Sequence, residues 1–125
     1  MINSHHTVKG EPGGGNFTMT VAQVLGGLID EDPGAAADWK VPTAANLVAG
    51  IPNARIGDTI ELLLHNDAGA ATGYAVTIVT NTGVTLHGST ETLTEGTNDT
   101  GKLIFRLTNV TAASEAVDCY ILTGI

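Results

Sequence analysis

Four histidines (His5, His6, His65 and His87) and one cysteine, Cys119, are the side chains best suited to binding a metal ion. Their spacing argues against it. No pair in the body of the chain has the H-x-x-x-H interval that puts two imidazoles on one helix face. His65 and His87 fall in separate strand-like runs and could approach each other across a sheet, but zinc would still need a third ligand. The adjacent carboxylates Asp30-Glu31-Asp32 precede Pro33-Gly34. A Ca²⁺ loop needs ligands at spaced positions, and consecutive residues of an extended chain point opposite ways, so this segment reads as a solvated acidic loop. No metal and no cofactor is expected.

Nucleophilic chemistry is equally poorly served. Serine is rare (Ser4, Ser89, Ser114) and no G-x-S-x-G elbow occurs. The glycine-spaced stretch Gly96 to Lys102 lacks the G-x-x-x-x-G-K-[ST] order of a phosphate loop. Asp58 and Glu61 sit on opposite sides of a turn and a strand, a weak basis for paired-carboxylate catalysis. Cys119 lies in the strand-like run Val117 to Leu122, where a lone cysteine behaves as a small buried hydrophobe. The expectation is a protein without catalytic activity.

The elements that would have to position such residues are strands. In 125 residues, enough for one domain, threonine is the commonest type at 18 and aromatics are only 4%. Threonine and valine favour pleated, half-buried surfaces. Alternation marks strands at Phe17 to Val21, Thr59 to His65, Tyr74 to Thr80, Val84 to Gly88 and Lys102 to Val110. Shorter runs follow at Thr90 to Thr94 and Glu115 to Leu122, and Ala37 to Val41 holds the only tryptophan, Trp39. Gly26-Gly27 interrupts helical spacing in Ala22 to Ile29, which suggests two extended pieces hinged at the glycines. Thr43 can cap one short helix that Gly50 closes, before Ile51-Pro52 forbids its continuation. Two turns of helix are unstable alone, so Leu47, Val48 and Ile51 should pack on a sheet.

The fold class expected is therefore mainly β: an antiparallel β-sandwich or small barrel with one short helix, about 43–50, and an extended N-terminal arm. Residues 1–16, with Gly13-Gly14-Gly15, form that arm, either a loose tail or a tether that orders on a partner; residues 17–125 form a single β domain. Two strands carry an aliphatic residue on the face that should be wet, Leu63 and Ile104, and Val79 does the same beyond Ile78. Leu63 and Ile104 are therefore the candidate oligomer interface, a surface that meets a copy of the same chain.

Charge narrows the partners. Thirteen acidic against five basic residues give a net charge of −8, and Lys9, Lys40, Arg55, Lys102 and Arg106 are scattered. Neutralising phosphates takes clustered lysine and arginine, so neither nucleic acid nor an anionic membrane is an expected partner.

Several stretches together resemble a known group. They are Thr20 to Ile29; Val41-Pro42-Thr43-Ala44-Ala45-Asn46-Leu47-Val48-Ala49-Gly50-Ile51-Pro52-Asn53-Ala54-Arg55-Ile56-Gly57-Asp58-Thr59-Ile60-Glu61-Leu62; Thr82 to Leu86; Arg106 to Thr111; and Ser114 to Val117. Their texture is similar to β-domains on the surfaces of tailed-phage virions, found in capsid decoration (cement) proteins and in head or tail fibres. The resemblance implies a decoration protein on the capsid exterior, trimeric, with the major capsid protein and further copies of itself as partners. In that setting the arm would add a strand to a capsid sheet edge, with Phe17, Thr18, Met19, Thr20 and Val21 as the contact segment. The alternative is a receptor- or glycan-binding fibre domain working through the loops Asn66 to Gly73 and Glu95 to Gly101.

Overall fold

The computed structural model describes residues 15–69, 73–88, 92–94 and 99–123. Of the arm expected at 1–16, residues 1–14, with His5 and His6, lie outside the described residues. The architecture is mainly β, with two sheets and two short helices. In chain order the elements are β1 (Phe17–Thr18), α1 (Val21–Gly26), β2 (Leu28–Glu31), β3 (Ala37–Lys40), α2 (Ala44–Gly50), β4 (Thr59–Asn66), β5 (Ala75–Val79), β6 (Val84–His87), β7 (Thr92–Thr94), β8 (Thr100–Asn109) and β9 (Ala116–Thr123).

One sheet has the order β1-β3-β5-β7 and the other β2-β4-β8-β9-β6, so neither closes into a barrel. Both sheets are mixed rather than antiparallel. The pairs β1/β3, β3/β5, β2/β4 and β6/β9 are parallel, while β4/β8, β5/β7 and β8/β9 are antiparallel. From β1 to β5 successive strands alternate between the sheets, so the parallel neighbours β1/β3, β2/β4 and β3/β5 are each joined through a strand of the opposite layer, which serves as the crossover that parallel pairing requires. β5 and β7 are joined the same way through β6 but run antiparallel, so alternation alone does not set strand direction.

The inner faces share one core. Trp39, Val76, Ile78 and Leu93 come from the four-stranded sheet, and Ile29, Leu62, Leu64, Leu103, Phe105, Leu107, Val117 and Cys119 from the five-stranded one. Period-two alternation puts these residues on one side of their strands. Phe17 packs against Trp39, the rings tilted at 45° with centroids 5.3 Å apart, which extends the core to the sheet edge. Asn66 stitches the layers together. Its buried amide donates to the carbonyls of Tyr74 and Leu93 and accepts from the Ala68 N–H, so burying it leaves no polar group unmet.

The helix expected at 43–50 is α2: the Thr43 hydroxyl accepts from the Asn46 N–H and Leu47 is fully buried. Val48 and Ile51 pack against the core beside it. The hinged extended pieces expected at 22–29 are instead helix α1 followed by strand β2. Thr20 and Gln23 form a reciprocal capping box, and Gly27, at φ 85°, ends the helix in the left-handed conformation. The glycine pair therefore terminates a helix rather than hinging two strands. The acidic run is corrected too. Asp30 and Glu31 belong to β2, and Glu31 is buried at 2% exposure, so this is not a solvated loop.

Candidate interaction surface

The outer faces of the two sheets differ in chemistry. On the four-stranded sheet, Thr18 aligns with Lys40, and Asp38 with Thr77, a polar face with Val79 at its margin. On the five-stranded sheet, the ladder registers bring aliphatic residues into rows. Leu28 lies beside Leu63, Leu63 beside Lys102, and Lys102 beside Leu122. The next row holds Glu61, Ile104, Tyr120 and His87. Leu63 is 45% exposed, Leu122 47% and Tyr120 37%, three of the five large exposed apolar residues among the described residues. Exposed apolar residues gathered on one face mark interaction sites, whereas single exposed aliphatics need no explanation.

Both residues proposed for an oligomer interface, Leu63 and Ile104, therefore share one face, and Val79 belongs to the other sheet. Sequence reading missed Leu28, Tyr120 and Leu122. The signal was present in β9, where Val117 and Cys119 face inward while Asp118, Tyr120 and Leu122 alternate outward.

The charges on this face are paired. The Lys102 ammonium bridges the Glu61 carboxylate across β4 and β8. Arg106 stands opposite Asp118 in the β8/β9 ladder. His87 Nε2 lies 3.1 Å from an Asp118 oxygen, and its ring stacks on Tyr120 with centroids 4.9 Å apart.

At the end of the same face, where β2 and β4 finish, ionisable groups converge. His65 Nδ1 is 2.9 Å from Asp30 Oδ1, and its Nε2 is 3.7 Å from Asp99 Oδ2. Asp30, His65 and Asp67 hold their ligand-capable atoms within 4.8 Å of one another, so among the described residues these three could hold a cation. Burial pulls the His65 pKa down, but the Asp30 hydrogen bond and the charges of Asp30, Asp99 and Asp67 outweigh it, and the net shift is upward from 6.5. His65 and His87 do not meet, for they lie on β4 and β6, separated in the sheet by β8 and β9. Burial pushes the Cys119 thiol up to about 12, which makes it a packing residue and a poor nucleophile at neutral pH.

The segment proposed to contact a capsid is largely committed to its own fold. Phe17 and Thr18 pair with Trp39 and Lys40, and the Met19 N–H donates to the Lys40 carbonyl. Met19 is buried at 2% exposure, Thr20 caps α1 and Val21 begins it. These residues also border an open groove of about 590 Å³ whose far wall is Asn46, Ala49 and Gly50 of α2. Just before them, the Asn16 side chain accepts from the Asp38 N–H and the Gly15 N–H donates to the Pro33 carbonyl, so Gly15 and Asn16 are tied to the fold.

No family model, curated protein or solved structure matches this chain. Of the loops named for a fibre role, residues 70–72 and 95–98 lie outside the described residues. No helix among the described residues is long and apolar enough to cross a membrane.

Proposed function

We propose that this chain is a structural protein of a virion surface, a capsid decoration protein that works as a trimer through its faces and carries out no reaction. The observation that carries the reading is the outer face of the five-stranded sheet, where Leu63, Tyr120 and Leu122 stand exposed in register. An isolated domain gains nothing from leaving such a row in water, whereas a protein whose work is contact uses it. The virion setting comes from the resemblance to phage surface β-domains and from the physics of a pressurised shell. Many modest external contacts that bridge neighbouring capsomers add up by multivalency. A net charge of −8 keeps decorated particles apart in solution.

The ionisable groups support the same reading. The described serine, Ser114, follows β8, and Cys119 points into the core, so among the described residues neither stands in the His65 cluster, an acidic corner of this surface.

The test uses capsid shells assembled from the major capsid protein encoded in the same genome. Added protein should co-sediment with undecorated shells to a fixed saturating ratio and raise the temperature at which they rupture. Shells that neither retain the protein nor gain heat resistance would refute the proposal.

A further inference from the structure

The ladder of the five-stranded sheet assembles a ligand set that no stretch of sequence shows. Asp30 of β2 and His65 of β4 stand opposite each other in the parallel pair, and His65 stands opposite Thr100 of β8. Asp67 follows two residues after His65, and Asp99 comes just before Thr100. Backbone hydrogen bonds tie both in place: the Asp67 N–H donates to the Glu31 carbonyl, and the Asn66 N–H donates to the Asp99 carbonyl. The carboxylates of Asp30 and Asp67 and one ring nitrogen of His65 thereby lie within 4.8 Å of one another.

Two features distinguish this group from a plain acidic patch. The first is the imidazole, which has a carboxylate at each nitrogen: Asp30 Oδ1 lies 2.9 Å from Nδ1, and Asp99 Oδ2 lies 3.7 Å from Nε2. A metal-bound histidine is arranged in this way, with one nitrogen on the ion and the other ring N–H turned to an outer carboxylate that fixes the ring. Ligands about 2.0–2.2 Å from a shared ion stand roughly 3–3.5 Å apart, so Asp30 and His65 need little movement, and the exposed Asp67 side chain swings in as the third. The second feature is uncompensated charge. Among the described residues no lysine or arginine pairs with Asp30, Asp67 or Asp99, and Lys102, on the same face, is committed to Glu61. Three carboxylates around one imidazole stay net negative in either state of the ring, and a divalent cation among them removes that repulsion.

We propose that Asp30, His65 and Asp67 bind a divalent transition ion of the zinc class, with Asp99 as the outer carboxylate that orients the His65 ring. The donor set selects the ion. Calcium and magnesium take oxygen ligands, whereas imidazole beside carboxylate suits zinc and its neighbours. Three protein ligands leave a fourth position for water. The ion joins β2, the end of β4 and, through Asp99, the start of β8, so its work is to hold this corner of the sheet together. The site and the proposed structural role stand independently, and neither fails with the other.

Calorimetric titration of the chelator-treated full chain with ZnCl₂ tests this, with CaCl₂ as the comparison. Wild type should bind one equivalent of Zn²⁺, prefer it to Ca²⁺, and unfold at a higher temperature in its presence. Asp99→Asn should weaken Zn²⁺ binding by about tenfold and His65→Gln by at least about a hundredfold. The double variant His5→Gln/His6→Gln should keep the wild-type affinity, which separates the cluster from the adjacent histidines near the start of the chain. Paramagnetic Co²⁺ in place of Zn²⁺ should broaden the His65 ring resonances far more than those of His87, which lies across β8 and β9 in the sheet. That measurement needs no variant and decides the matter if His65→Gln fails to fold. Zn²⁺ binding that is absent, that persists in His65→Gln, or that disappears with His5 and His6 overturns the proposal. Ca²⁺ bound as tightly as Zn²⁺ also overturns it, since that marks an acidic patch only.

Discussion

Leu62 and Leu63 are consecutive residues of β4 with opposite fates, and truncating each in turn tests the register on which the surface depends. Leu62 is 0% exposed and stands opposite Leu103, which is equally buried. Removing three carbon atoms there costs the lost transfer energy plus a cavity, about 2–5 kcal/mol for a buried leucine. The site lies between two hydrogen-bonded sheets that cannot easily close on a void, so Leu62→Ala belongs away from the low end of that range, at about 3–4 kcal/mol. A domain of this size has only about 5–15 kcal/mol in all. With a urea slope of about 2 kcal/mol per molar, the unfolding midpoint should drop by roughly 1.5–2 M. Leu63 keeps 45% of its surface in water. Full burial of such a side chain is worth about 1.5–3 kcal/mol, and much of that is not realised here, so Leu63→Ala should cost under about 1 kcal/mol in the single chain. The assay is urea denaturation followed by tryptophan fluorescence, since Trp39 is the only tryptophan and is fully buried. Dilute protein keeps association out of the reading. Equal losses, or a larger loss at Leu63, would mean that β4 is slipped by one residue, which exchanges its two faces and removes the exposed aliphatic rows.

Other expected outcomes follow from local geometry. Gly83→Ala puts a Cβ 2.6 Å from the Ala44 Cβ and 3.0 Å from the Glu115 carbonyl at φ 79°, whereas Gly57→Ala, at φ 94°, meets nothing within 4 Å. Left-handed strain of about 1–2 kcal/mol should appear in both, with a further ~1–3 kcal/mol of overpacking at Gly83 alone, and denaturant midpoints should rank them so. Asp30→Asn should lower the His65 pKa, read from its imidazole proton resonances across a pH titration. Because folding raises that pKa, the stabilisation by Asp30 is complete below the ordinary value of 6.5 and is lost as pH climbs through the folded value; an unchanged titration in Asp30→Asn would contradict the pairing. Cys119, buried with its thiol pushed up to about 12, should resist alkylation at neutral pH until urea unfolds the chain, and rapid labelling of native protein would disprove its burial.

Much of this architecture was legible because strands advertise themselves with period two. The two faces of β4 could be assigned from Thr59 to His65 alone, and the inward set of β8 from Leu103, Phe105 and Leu107. Helix α2 was legible from the Thr43 cap and the Gly50-Ile51-Pro52 stop. What local pattern could not give was pairing. That β3 runs parallel to β5 while β5 runs antiparallel to β7 is a fact about long-range pairing that no window of residues contains. Helix α1 was missed although Thr20 and Gln23 spell its capping box, because glycines read as interrupting a helix can equally end one. The His65 cluster escaped notice for the reason pairing did. Asp30 and Asp99 are distant from His65 in sequence and meet it only once β2 and β8 flank β4. Leu63 and Ile104 were recognisable as aliphatic residues on a wet face, but the charges that surround them required knowing that Glu61, Lys102, Arg106 and Asp118 are neighbours in the ladder.

The central claim, that the outer face of the five-stranded sheet is covered when the protein assembles, is most directly tested by hydroxyl-radical footprinting of Tyr120 and Leu122 over a concentration series. Both side chains are more than a third exposed in the single chain, so dilute protein should be oxidised readily at these positions. Concentrated protein should show strong protection of both, while exposed Ile56, in the turn before β4, keeps its reactivity. Oxidation of Tyr120 and Leu122 that stays constant relative to Ile56 from the lowest to the highest concentration would contradict the claim.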